Sequence, residues 1–142
     1  MNDDLVFEEV FDLEGGNFKK AGKASGAIKR LLKELGLPPE IVRRVSVAVY
    51  EAEINVVVHA YSGTMTLRID SDAITVVVVD RGPGIPDIDL AMTEGYSTAT
   101  TEIREMGFGA GMGLPNIKKN ADEMTIESKV GEGTTLKLVV NL

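Results

Sequence analysis

The segment ITVVVVDRGPG, residues 74–84, decides how the rest of the chain is read. Ile74 to Val79 form a continuous apolar run of the kind that fills a central, buried strand. The run ends on Asp80, and a carboxylate at the end of a buried strand is costly unless something polar pairs with it. Gly82 and Gly84 follow, and both allow the backbone to come close to a ligand. By itself the same pattern also describes a strand that ends in an ordinary turn.

Working outward, Met65–Ile69 is predicted as a neighbouring strand joined through the turn Asp70-Ser71-Asp72. Residues 39–60 read as a long helix, with Ile41, Val45, Val49, Ala52 and Val56 at helical spacing. The β-branched stretch Val56-Val57-Val58 leaves a strand open for that piece. Asn17 to Leu35 reads as another helix, closed by Gly36-Leu37-Pro38-Pro39, and residues 5–13 as an opening strand. Residues 82–112 are rich in glycine, threonine and charge with little periodicity, and a loop of that length is usually functional or mobile. Leu114–Ala121 is predicted helical, with strands Met124–Ser128 and Thr134–Val140 about the turn Gly131-Glu132-Gly133. No repeat or linker interrupts the pattern, so residues 1–142 are expected to form one domain. Its expected fold is an α/β (α+β) two-layer sandwich, one mixed, mostly antiparallel sheet with helices on one face.

Composition narrows the function classes. The chain of 142 residues is 44% hydrophobic and 26% charged, with no cysteine, which excludes disulfides and thiol chemistry. His59 is the single histidine, so no multi-histidine metal site can form. The net charge of −7 argues against nucleic acid and against acidic membrane surfaces. It does not exclude ATP, because backbone N–H groups and a metal can hold phosphates. With no leader-like start and no apolar run of membrane-spanning length, a cytoplasmic location is expected.

Three further clusters carry chemistry. Glu51, Asn55 and His59 are spaced by four and share one helix face, where a carboxylate can accept a proton and an amide oxygen can ligate Mg²⁺. Such a trio equally describes a solvated helix face. GFGAGMGL, residues 107–114, sets alternating glycines before a helix, where N–H groups and the helix dipole suit an anion. A flexible hinge has the same look, and no Gly-Lys-Ser/Thr follows to make a Walker loop. Gly131-Glu132-Gly133-Thr134 fits a hairpin.

Together and in this order, the four pieces resemble the GHKL ATPase superfamily with its Bergerat-type ATP site, over roughly residues 40–140. Within it, the stretches after Asp80, around Glu94-Gly-Tyr-Ser-Thr and at Gly111-Met-Gly-Leu-Pro115 look closest to the switch kinases of bacterial stressosomes. Anti-sigma-factor kinases are near relatives. No dimerisation helices precede the domain and no transducer follows it in this sequence, so sensor kinases and gyrases are expected to fit poorly. The resemblance implies a serine/threonine kinase acting on STAS-domain proteins, as substrates or scaffold, with a downstream sigma factor or signalling enzyme. The alternative is a regulator that acts mainly by sequestering such a partner.

Residue by residue, the resemblance implies Glu51 as general base and Asn55 as Mg²⁺ ligand. Asp80 would accept the adenine amino group, supported by Thr134, with Gly82, Gly84 and Ile85 lining the base. Gly107, Gly109, Gly111, Met112, Gly113 and Leu114 would wrap the phosphates. Arg104 would reach the γ-phosphate from a lid, Tyr96–Met112, that orders over ATP.

Overall fold

The structure, a computed structural model, describes residues 7–94 and 113–142. Among these residues five strands form one sheet: β1 (Phe7–Glu14), β2 (Ser62–Ile69), β3 (Ala73–Arg81), β4 (Glu123–Lys129) and β5 (Gly133–Asn141). Their spatial order is β1-β2-β3-β5-β4. The helices are α1 (Lys23–Glu34), α2 (Pro39–His59), the single turn α3 (Ile88–Ala91) and α4 (Gly113–Asn120). The two-layer arrangement expected from the sequence is present.

The sheet is more uniform than expected. Every pairing among the described residues is antiparallel, so the parallel component of a mixed sheet is absent there. The connections explain this. Two hairpins join β2 to β3 and β4 to β5, and the α1–α2 helical hairpin returns the chain antiparallel to β1. β3 sits in the middle, as its apolar run requires, but only one of its faces is covered. Ile74, Val76 and Val78 are buried on the helix side, whereas Val79 on the other side is exposed.

On the covered face the register aligns Leu67, Val76 and Leu138 in one row across β2, β3 and β5. Helix α2 lies over these rows and contacts β1, β2, β3 and β5, with α1 and α4 packed against it. Val45, Val49, Ala52 and Val56 of α2 join Ile28 and Leu32 of α1 and Leu114 and Ile117 of α4 in one core. Pro39 starts α2, where a missing N–H costs nothing. The strand reading of Val56-Val57-Val58 is overturned, because the helical ladder runs on to Ala60 N–H, which donates to the Val56 carbonyl at 2.9 Å. Burial of Val56 and Val57 outweighs their β-branched preference.

The helix expected over Asn17–Leu35 is shorter. Phe18–Lys20 form a 3-10 turn, and α1 starts at Lys23 after Gly22 with φ of 92°. That left-handed turn aims three amides at one carboxylate. Glu53 of α2, 2% exposed, accepts N–H groups from Gly22 (3.1 Å), Ala24 (3.3 Å) and Ser25 (2.9 Å). A buried carboxylate thus caps α1 from another helix and satisfies its first donors. β1 and β4 are the edges of the sheet. β1 carries Glu8, Glu9, Asp12 and Glu14, of which Glu8 pairs with Arg68 on β2 at 3.1 Å.

Truncating Glu53 strands three donors at a buried helix start. Glu53→Ala is expected to lower the unfolding free energy by about 3 kcal/mol or more. The midpoint of a urea titration checks this, and a midpoint within error of the parent would show that the carboxylate carries no such load.

Candidate functional site

Asp80 lies on the helix side of β3, two residues beyond Val78, and is paired in register with Gly63 of β2. Its Oδ1 accepts the N–H of Thr134 on β5 at 3.0 Å. A methyl added at Gly63 would lie 3.3 Å from the Asp80 Cβ and 3.2 Å from the Val56 Cγ1. One added at Gly133 would collide with the Asp80 carbonyl oxygen. Gly63 thus leaves a narrow slot, with no side chain between Asp80 and Val56 near the end of α2, and Gly133 lets the start of β5 close on the Asp80 backbone.

The chain after Asp80 is clamped to the β4–β5 hairpin. Gly82 N–H donates to the Glu132 carbonyl at 3.2 Å, and Gly131 N–H to the Pro83 carbonyl at 2.9 Å. Ile85 N–H donates to Ser128 Oγ at 2.7 Å. Gly84 has φ of 76°, and a side chain there would strike the Lys129 carbonyl. Gly82 is buried against Ala60 at the end of α2, so the segment is pinned on both sides.

Further back along α2, Glu51 and Asn55 face the start of α4. A methyl at Gly113 would sit 3.3 Å from Glu51 Oε2 and 3.4 Å from Asn55 Oδ1, so both oxygens converge on that helix start. Burial pushes the Glu51 carboxyl above its usual pKa, and a hydrogen bond from the Asn116 side chain opposes the shift. His59, one turn beyond Asn55, is held below its usual pKa by burial and so favours the neutral ring. Leu114 and Pro115 are buried behind this corner and fix the α4 start against α2.

The site residues expected from the sequence thus fall into two groups on the same face of the sheet. Asp80, Gly82, Gly84, Ile85 and Thr134 form one, and Glu51, Asn55, Gly113 and Leu114 the other. Val56, next to Asn55, touches Gly63 beside Asp80 and links them. Arg104, Gly107, Gly109, Gly111 and Met112, with the Tyr96–Met112 lid, lie outside the described residues. Sequence reasoning missed Gly63, Asn116 and Ser128. Gly63 carried a findable signal, a glycine beside a predicted strand, whereas Asn116 and Ser128 are set by pairing distant in sequence.

Burial raises the Asp80 pKa, with the Thr134 N–H opposing. A raised folded pKa means that ionised Asp80 costs the fold stability, a cost absent at low pH and present once pH rises through the raised value. Asp80→Asn keeps an acceptor for Thr134 without the charge. At pH 7 the ligand-free variant is expected to melt at or above the parent, with the gap shrinking towards pH 4. A variant that melts lower at pH 7 and recovers at pH 4 would reverse the sign of this effect.

The chain is similar to known proteins over most of its length. The family model described as "Histidine kinase-like ATPase domain" matches residues 18–140. The chain is 31% identical over 115 residues to the serine/threonine-protein kinase RsbT of Bacillus subtilis, covering 78% of this chain and 80% of that protein. It is 36% identical over 104 residues to an anti-sigma F factor of Caldanaerobacter subterraneus, covering 70% of this chain and 69% of the relative. An anti-sigma F factor of a Thermoanaerobacter species is 35% identical over a stretch of the same length. Slot, clamp and helix corner all lie within the matched span, and the chain belongs to the histidine kinase-like ATPase domain family of the GHKL superfamily.

Proposed function

We propose that this protein is a serine/threonine kinase that moves the γ-phosphoryl group of ATP to a STAS-domain partner in a bacterial partner-switching, stressosome-like pathway. The observation that carries this reading is the convergence of Glu51 Oε2 and Asn55 Oδ1 on the α4 start, next to the Asp80 slot. Similarity to a protein named as a serine/threonine-protein kinase supports it.

In this reading Asp80 accepts the adenine amino hydrogen, Thr134 supports the same contact, and Gly82, Gly84 and Ile85 let the ring approach the backbone. Gly107, Gly109, Gly111, Met112, Gly113 and Leu114 enclose the triphosphate, and Arg104 reaches its γ end. The partner hydroxyl oxygen attacks the γ-phosphorus, the bond to the ADP oxygen breaks, and Glu51 takes the hydroxyl proton. Burial raises the proton affinity of Glu51, the direction a base requires, and Asn116 holds the carboxylate in place. Among the described residues no group of three or more acidic or histidine side chains could hold a metal. A single amide oxygen at Asn55 suits Mg²⁺ that arrives with the phosphates, as this ion keeps few protein ligands. Bound there, Mg²⁺ would neutralise charge on the phosphate oxygens.

The anti-sigma relatives favour a second reading, in which the chain acts mainly by holding a partner, such as a sigma factor or a signalling enzyme, with ATP as an affinity switch. Among the described residues no helix is long and apolar enough to cross a membrane, and the negative net charge disfavours nucleic acid.

Glu51→Gln separates the two readings. Phosphate transfer to a STAS-domain substrate is expected to fall by about 10²–10⁴-fold, the usual share of a general base. Stabilisation by Mg-ADP, roughly 2.7 kcal/mol at a hundredfold excess over Kd, is expected to persist. Transfer at the parent rate would remove Glu51 as the base, and a parent melt unmoved by millimolar Mg-ADP would remove the nucleotide site.

A further inference from the structure

A groove of about 460 Å³ runs along the β1 edge of the sheet, on the side of α2 away from Glu51 and Asn55. One wall is β1 from Val10 to Glu14; the other is Asn17, Lys20 and Lys23, with Glu53 of α2 at the back. Glu53 is already held by three amides, so the charge open to a guest sits on the walls. Lys20 and Lys23 are exposed, and neither forms an ion pair among the described residues. Asp12 and Glu14 are exposed opposite them, Glu14 accepting the Asn17 side-chain amide at 2.9 Å.

The ladder fixes which backbone groups face this groove. Gly15 N–H donates to the Tyr61 carbonyl directly across from it at 2.9 Å, and Leu13, Phe11 and Glu9 follow at the same alternate positions of the β1–β2 register. Those residues turn their N–H and C=O groups to β2, so Val10 and Asp12 turn theirs to the open edge. No backbone group among the described residues meets them there. Side chains alternate too: Phe11 and Leu13 point to the helix layer, Val10, Asp12 and Glu14 to the bare face of the sheet.

We propose that this edge is a docking site for an extended segment of a partner protein, which adds to β1 as a further antiparallel strand. The segment that fits has alternating chemistry. On the bare face it carries basic side chains across from Asp12 and Glu14. On the helix face it carries acidic or apolar ones, which meet Lys20 and Lys23 or pack on Phe11 and Leu13. A second copy of β1 is a poor guest, because it would set carboxylates against carboxylates.

The probe is the peptide Thr-Lys-Glu-Lys-Val-Val-Thr. Antiparallel pairing sets its lysines opposite Glu14 and Asp12, its glutamate opposite Leu13, and its valines opposite Phe11 and Val10. On the full chain without nucleotide, millimolar peptide is expected to slow hydrogen exchange at the Val10 and Asp12 amides. N-methylation of the second lysine removes a ladder bond and puts a methyl against β1, so binding is expected to fall about tenfold or more. N-methylation of the first valine, whose N–H points away from β1, is expected to change binding by no more than about threefold. Val10→Pro removes the matching donor from the protein without altering charge, at an edge position where proline is tolerated, and is expected to abolish binding. If that variant does not fold, the two methylated peptides carry the test on the parent chain. Methylated peptides that bind alike, or a peptide that protects neither amide, overturn the strand addition. So does a rearranged peptide of the same composition that binds as tightly. Amides at Val10 and Asp12 that are protected before peptide is added also overturn it: protection lost on dilution identifies a second copy at the edge, and protection that persists identifies the chain itself.

Discussion

Helix α2 must be buried by the sheet and by two neighbouring helices at once, and everything else is arranged around that burial. A helix covered on three sides has a broad apolar arc, which is why its valines outweigh their strand preference. The exception inside that arc is Glu53, whose charge is tolerable only because three amides of the α1 start converge on it. The contact sets where α1 begins, places Gly22 in its left-handed turn, and fixes α1 against α2. Without it α2 would lose a flank, and with the flank its fixed rotation on the sheet.

That rotation matters because α2 is also a wall of the site. Residues two apart on a helix point roughly 200° apart, so Glu51 and Glu53 face opposite sides. Glu53 is spent on structure, facing α1; Glu51 faces the α4 start with Asn55. A small roll of the helix would swing Glu51 and Asn55 away from Gly113 and press Val56 out of contact with Gly63. The carboxylate that anchors α1 and the one proposed as base are thus coupled through a rigid rod, and the core holds the candidate site in register.

Much of this was legible in the chain. The apolar run to Asp80 placed the middle strand, the four-residue spacing placed Glu51 and Asn55 on one helix face, and the hairpin glycines marked the turn before Thr134, whose link to Asp80 came only from the family resemblance. What escaped reading follows a common physical cause. The 3-10 turn at Phe18–Lys20 exists because Glu53, far along the chain, recruits the amides after it. The uniform antiparallel sheet follows from how helices return the chain, which periodicity does not encode. Ser128 and Asn116 gain their partners only through pairing across the fold. Local pattern reveals elements and their faces; the polar contacts that position side chains are long-range and stay silent until the elements meet.

The acidic outer strand has a consequence for behaviour in concentrated solution. An edge strand offers unpaired N–H and C=O groups to any other strand, including the same one from a second molecule. Four carboxylates within eight residues of β1, only one of them paired with an arginine of the neighbouring strand, make such self-templating repulsive. The repulsion acts between exposed groups, so it fades as added salt shortens the screening length. Colloidal stability at this edge is therefore electrostatic in origin. It is strongest in dilute buffer and weakest at high salt.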